Sequence, residues 1–353
     1  MNPLSPVDIR ALIREIGRGT HGARALDRDT AHRMWSALLD DRLPEAVVGA
    51  ILIAYRFKGE SVEELQALLQ ASAERTMPLA PVQGPLAILP CYNGGRRLPN
   101  LAWLTALALR EAGFAVLLHG VRRDAGRLAT CEVAHAAGAT VVDDMTQADR
   151  ALRNERLAFV PLDVWCPALA RLLARRELLG VRNSGHTVCK LMNPWLATAS
   201  IAPGGTTSAM TSAMTSAMTG ATSAIVGQAA RTLMLVPVTH AEYVPRATEL
   251  LNAAGASALV FRGVDGEPAI YPHAARSVWR VRAGAVDELT LTPELTPDPA
   301  IELDNRAGAQ AVADWSADVA AGRKAMPQMT ARLVALAHSM LACDQQPLRD
   351  NRS

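Results

Sequence analysis

From about residue 80 the chain alternates short apolar runs with helical stretches, and this alternation restricts the possible folds more than any other feature of the sequence. Leu86-Ala-Ile-Leu89 is a short apolar run followed by a glycine-containing loop. A helical pattern from Asn100 to Ala112 comes next, then Phe114-Ala-Val-Leu-Leu-His119 as a second strand. Thr140-Val-Val142, Leu157-Ala-Phe-Val160, Thr232-Leu-Met-Leu-Val236 and Ala258-Leu-Val-Phe261 are further strand candidates, most of them separated by helical segments. Strand–helix alternation is the pattern of an α/β domain with a mostly parallel central sheet flanked by helices. That domain is expected over residues 79–345, with the stretch 307–342 helical and closing it. Ligands in such folds sit at loops beyond the carboxyl ends of strands.

Ahead of this region, residues 7–75 read as helices, which predicts a small helical N-terminal domain over residues 1–78 with a possible helical contribution from later segments. Ile9, Leu12, Ile13 and Ile16 recur at helical spacing. Asp29 to Leu39 opens on an aspartate able to cap a helix. Ala46 to Phe57 is apolar nearly all round, as expected of a buried helix or an oligomer contact. Ser61-Val-Glu-Glu64 resembles a capping box that opens a helix running to Ala73. Residues 203–224 are a low-complexity insertion: Pro203-Gly-Gly precedes three TSAM units ending at Met210, Met214 and Met218. It reads as a repeat expansion or as a helix that docks a partner. Residues 346–353 form a tail.

Composition narrows the function classes. The formal net charge is only +2, so a nucleic-acid partner must be argued from where the basic residues sit. Lysine occurs only at Lys58, Lys190 and Lys324, so arginine, with its bidentate reach for phosphate, supplies nearly all the positive charge. Aromatic residues are scarce, which argues against an RNA-type stacking platform. The five cysteines are scattered and form no CxxC pair, which disfavours a structural zinc site or a disulfide framework and fits a reducing cytoplasm. The N-terminus, MNPLSPVDIR, lacks a signal-peptide pattern. No apolar stretch reaches about 18 residues, so no membrane span is expected. No Ser-His-Asp set, zinc motif or Walker loop is visible.

Three loops carry the chemical argument. In Cys91-Tyr-Asn93-Gly94-Gly95-Arg96-Arg97-Leu-Pro-Asn100, paired glycines after a strand let backbone N–H groups approach an anion. Two arginines follow, and Asn100 opens a helix whose N-terminus also favours phosphate. His119-Gly120-Val-Arg122-Arg123-Asp-Ala-Gly-Arg127 again follows a strand and holds three arginines. In the third stretch Arg182, His186 and Lys190 lie at i, i+4 and i+8 and share a face if it is helical, although Gly185 weakens that assumption. Ordinary turns with solvated arginines are the bland reading of each loop taken alone.

Together these loops resemble the family of nucleoside phosphorylases and phosphoribosyltransferases that contains anthranilate phosphoribosyltransferase. Its glycine loop reads roughly CGTGGD, then NIST, then KHGNR. Cys91, Gly94 and Gly95 fall on the loop, Asn100 on the NIST asparagine, His119-Gly120 on HG, and Arg122 on the last arginine. Arg182 matches the arginine of GxRT, and its spacing to Asn193-Pro194 matches the family without a gap. Phe261-Arg-Gly-Val-Asp-Gly-Glu-Pro-Ala-Ile270 resembles VHGxDGLDEI, and Leu289-Thr-Leu-Thr-Pro-Glu294 resembles TLTPED. The resemblance implies a small helical domain joined to a larger α/β domain, and a homodimer formed through helical surfaces.

Departures from the family pattern carry as much weight as the matches. Arg96 replaces the acidic residue of GGD, Ala102 and Trp103 replace the serine and threonine of NIST, and Leu118 replaces the lysine of KHG. The Asp-Glu pair that holds magnesium in active members falls on Pro268 and Ala269, with Asp265 and Glu267 nearby but out of register. Two unit charges about 4 Å apart interact by roughly 4 kcal/mol at an effective dielectric near 20, so an arginine aimed at a metal position repels the ion. The pattern looks like a divergent, YbiB-like, DNA-binding branch of the family. That resemblance implies nucleic-acid binding with little sequence preference and no anthranilate phosphoribosyltransferase activity, and with the carboxylates displaced no cofactor is expected. The expected phosphate-contacting set is Asn93, Gly94, Gly95, Arg96, Arg97, Asn100, His119, Gly120, Arg122, Arg123, Arg127, Arg182 and Lys190. The alternatives are a working magnesium-dependent transferase that takes phosphoribosyl diphosphate to an aromatic amine or nucleobase, and a sensor of a small phosphorylated ligand.

Overall fold

The helical periodicity at the start of the chain and the strand–helix alternation after it correspond to two separate units of the computed structural model, which describes residues 6–19, 21–195, 227–282 and 284–342. The TSAM insertion and the tail lie outside the described residues. The first unit comprises the described residues of Met1–Pro78 and of Leu162–Pro203, and the second those of Leu79–Pro161 and Gly204–Ser353. The helical unit thus takes in a later segment, residues 162–195, that lies between strands in the sequence.

In the helical unit α1 (Pro6–Ile16), α2 (Arg28–Leu39), α3 (Glu45–Lys58) and α4 (Val62–Ala73) follow one another. The cap of α2 is Asp27, two residues before the expected Asp29, and its carboxylate accepts the Thr30 N–H. The capping box of α4 forms as expected between Ser61 and Glu64. Glu64 is fully buried, and it also accepts from the Tyr55 hydroxyl at 2.8 Å and from Lys58 Nζ at 2.6 Å. One side chain therefore closes a helix end and ties α3 to α4. Short helices at Leu162–Trp165, Pro167–Ala174, Arg176–Leu179 and Gly185–Val188 complete the unit. Arg171 is anchored to Asp41 at 2.9 Å.

The α/β unit runs β1 (Leu86–Cys91), α5 (Leu101–Glu111), β2 (Ala115–Gly120), α6 (Thr130–Ala136), α7 (Met145–Asn154), β3 (Leu157–Pro161), β4 (Thr232–Val238), α8 (Val244–Ala253), β5 (Ser257–Arg262), β6 (Arg276–Arg282), β7 (Ala285–Leu291), α9 (Gly308–Ala320) and α10 (Gln328–Ala342). The sheet order is β3-β2-β1-β4-β5-β6-β7. The first five strands are parallel, and β6 and β7 are antiparallel. Strands β1 to β4 are buried along their whole length, which is why they read as unbroken apolar runs. Leu89, Leu104, Phe114, Phe159, Leu235 and Phe261 belong to one core cluster with Trp315 and Leu333 from α9 and α10.

Two strand expectations need correction. Thr140–Val142 makes only an isolated bridge, Val141 to Phe159, because Asp144 starts α7 at once by accepting the Gln147 N–H. The hairpin β6–β7 has no counterpart among the expected strands, since β7 is largely exposed and neither strand is an apolar run. Chain order in the sheet reverses between β1 and β4, so the loops after those strands diverge and leave a crevice at the carboxyl ends. Among the described residues no helix is long and apolar enough to cross a membrane.

Candidate functional site

The loop after β1 is the centre of the site. Gly94 has φ +61°, a left-handed conformation that glycine adopts without strain. Gly95 exchanges two backbone hydrogen bonds with Leu128, at 2.9 and 3.0 Å. A Cβ on Gly95 would lie 2.2 Å from Asn305 Nδ2, so packing also demands glycine there. The turn after β5 then closes over the loop. Asn93 N–H donates to Glu267 Oε1 at 2.6 Å, and Arg96 N–H donates to Asp265 Oδ2 at 2.9 Å. The second Glu267 oxygen accepts from the Thr130 hydroxyl at 2.7 Å, and Asn100 Nδ2 donates to that hydroxyl at 3.0 Å. Arg127 Nη1 donates to the Asn93 carbonyl at 3.2 Å from the other side.

This network corrects the expected anion cradle. The N–H groups of Asn93, Gly95 and Arg96 already have acceptors inside the protein, two of them carboxylates. Asn93 and Asn100 are buried, and Asn100 caps α5 by accepting the Trp103 N–H. His119 is 0% exposed, and its Nδ1 lies 2.7 Å from the Tyr92 hydroxyl. Burial holds its pKa down at about 3, so it is neutral. Gly120 lies inside β2, where a Cβ would meet the Cys91 carbonyl oxygen at 1.8 Å, so that glycine serves close strand approach. Arg127 is largely buried and props the loop. These residues build the site; they do not line it.

What remains open to solvent is arginine. Arg96 and Arg97 are exposed, and with Arg262, Arg276, Tyr271 and Asp265 they line a cleft of about 540 Å3. Among the described residues no carboxylate lies within ion-pair range of Arg96, Arg97 or Arg262. Arg262 and Arg276 are absent from the expected set. Arg262 could have been found, since it follows the Ala258–Phe261 run as Arg96 follows β1. Arg276 could not, because it begins a strand with no apolar signature. Arg122 and Arg123 sit on the loop after β2, Arg123 exposed and Arg122 3.4 Å from Asp143, and neither lines the cleft.

Arg182, His186 and Lys190 belong to the helical unit. They do not share a helical face: Arg182 precedes the short helix Gly185–Val188, and Lys190 lies in the 3-10 turn Cys189–Leu191 that follows. Lys190 is buried, which withdraws it from a surface phosphate role. Burial, with Arg182 and Arg176 nearby, holds the His186 pKa down at about 3.

Magnesium, which the fold family implies, does not fit these residues. Pro268 and Ala269 have no carboxylate, Glu267 is buried with both oxygens bonded to loop groups, and Arg96 stands beside them. Among the described residues no group of three His, Cys, Asp or Glu is placed to hold a metal ion.

Residues 10–76 match the model of the glycosyl transferase family, helical bundle domain. The chain is 35% identical to the uncharacterized protein YbiB of Escherichia coli strain K12 over 263 residues, 74% of this chain and 72% of YbiB. Anthranilate phosphoribosyltransferase of Persephonella marina is 28% identical over 188 residues, a match that spans 53% of this chain and only 54% of that enzyme. Among solved structures, anthranilate phosphoribosyltransferase from Thermus thermophilus aligns with TM-score 0.64 and 22% identity, covering 95% of this chain and 94% of that one. The Saccharomyces cerevisiae enzyme in complex with PRPP and Mg aligns with TM-score 0.65 and 11% identity over 96% and 89% of the two chains. Those two likenesses speak for the fold, and the match to YbiB over most of both chains speaks for the family. The chain belongs to the anthranilate phosphoribosyltransferase-like family, the one that includes YbiB.

Proposed function

We propose that this protein binds nucleic acid, DNA foremost, through phosphate contacts with little sequence preference, and that it does not carry out magnesium-dependent phosphoribosyl transfer. The observation that supports this reading is the gathering of Arg96, Arg97, Arg262 and Arg276 on one open cleft at strand ends. Guanidinium groups hold phosphate oxygens in bidentate fashion without a metal. Glu267 is buried and internally bonded, and Pro268 and Ala269 carry no carboxylate, which leaves Asp265 as the one carboxylate in the cleft lining, short of the set that a magnesium–diphosphate complex needs. A homodimer formed through helical surfaces and a cytoplasmic location belong to the same reading.

The test is DNA affinity as a function of salt for the full chain and for Arg96→Ala/Arg262→Ala. Each lost phosphate contact lowers the slope of log K against log salt by about one unit and weakens all sequences alike. Unchanged affinity and slope in the double variant would remove the cleft from the binding surface. Turnover of phosphoribosyl diphosphate with magnesium by the wild type would restore the transferase reading.

A further inference from the structure

We infer that the cleft takes one unpaired nucleotide, base as well as phosphate, so that the preferred ligand is a single strand; this rests on the nucleic-acid reading above. The cleft is not uniformly cationic. Arg96, Arg97 and Arg262 supply positive charge, and the lining also holds Tyr271, Arg276 and Asp265. The Arg276 guanidinium lies over the Tyr271 ring, 4.6 Å from its centroid. Arg276 Nη1 also donates to the Ala275 carbonyl at 2.8 Å, which holds the group near the ring. His273 also packs with the Tyr271 ring, at a centroid distance of 5.6 Å and an interplanar angle of 88°. A planar guanidinium fixed on an aromatic ring is a shelf on which a nucleobase stacks.

Asp265 adds a second argument. A carboxylate in a phosphate-only groove would repel its ligand, whereas beside a base or sugar it accepts an N–H or O–H. One Asp265 oxygen takes the Arg96 N–H, which fixes the carboxylate beside the arginine pair. The volume, about 540 Å3, falls within the range of roughly 300–1,000 Å3 usual for small-molecule sites. A duplex keeps its bases in the stack and offers such a cleft only backbone, while a single strand offers both parts. Tyr271 is the sole aromatic residue in the lining, so the shelf serves one base, in keeping with a chain poor in aromatics.

The experiment is fluorescence anisotropy with three ligands: a single-stranded oligonucleotide of about 12 nucleotides, the same backbone with abasic sites, and a duplex. Tyr271→Ala is expected to weaken binding of the normal single strand about ten-fold and to leave the abasic strand and duplex within about two-fold. Tyr271→Phe, which keeps the ring, retains wild-type affinity. Arg96→Ala weakens all three. Equal losses on all three ligands with Tyr271→Ala, or no loss on any, would overturn the base shelf while leaving phosphate binding intact. Displacement of the strand by micromolar adenosine monophosphate would assign the cleft to free nucleotides and overturn the strand preference. Wild-type protein that binds none of the three overturns the nucleic-acid reading itself.

Discussion

At the scale of single residues, the sequence told which residue types were present but not which way they faced. His119 stands on the HG of the family motif and looks like a ligand contact, yet it is fully buried against Tyr92. The consequence is a pH dependence of stability. Folded His119 has its pKa near 3, while an unfolded histidine titrates near 6.5. The unfolded chain therefore takes up a proton where the folded one does not. The stability that goes with neutral burial is fully present above about pH 6.5 and is lost as pH falls toward 3, by about 1.4 kcal/mol per pH unit. Urea midpoints should drop between pH 7 and pH 5, and His119→Gln should flatten that drop. A midpoint that stays constant for the wild type would contradict the burial of a neutral imidazole.

At the scale of elements, local chemistry was legible and long-range pairing was not. The Ser61–Glu64 capping box, the Asn100 cap and strands β1 to β5 could be read because caps act within one turn and buried strands are apolar throughout. The hairpin β6–β7 was illegible because β7 is largely exposed and neither strand is an unbroken apolar run. The turn between β5 and β6 was only half legible. Asp265 and Glu267 were visible as carboxylates out of register with the family pair, but nothing local shows that they seize the N–H groups of a loop about 170 residues earlier in the chain. Asp265 sits at φ 53° and a Cβ on Gly263 would lie 2.0 Å from the Glu267 carbonyl oxygen, so this turn is shaped to deliver those carboxylates. Glu267→Ala strands the Asn93 N–H and the Thr130 hydroxyl in a buried place. It should cost about 3 kcal/mol in urea unfolding, with Glu267→Gln recovering part of the loss. A change of about 0.5 kcal/mol or less would show that the clamp does not hold the loop.

At the scale of the whole molecule, the prediction concerns assembly. In the helical unit Phe57 is 73% exposed and Leu178 is 83% exposed, which makes them the side chains to test for a helical interface. If helical surfaces form the proposed homodimer, light scattering after size exclusion should give twice the chain mass of 37.6 kDa. Phe57→Glu with Leu178→Glu should return the monomer. A wild-type monomer at micromolar concentration would end that part of the reading. The sequence by itself determined the two unit types, the buried parallel strands, the family and the presence of arginines after β1, because each is written in local periodicity or contiguous motifs. Only the tertiary structure decided that residues 162–195 join the helical unit, that Glu267 closes the glycine loop, and that Arg262 and Arg276 meet Arg96 and Arg97. Those facts depend on sheet order, which brings segments far apart in the chain side by side and which no short window of sequence contains. Arg96 at an acidic position of the family motif was legible at once; the cleft that Arg96 lines was not.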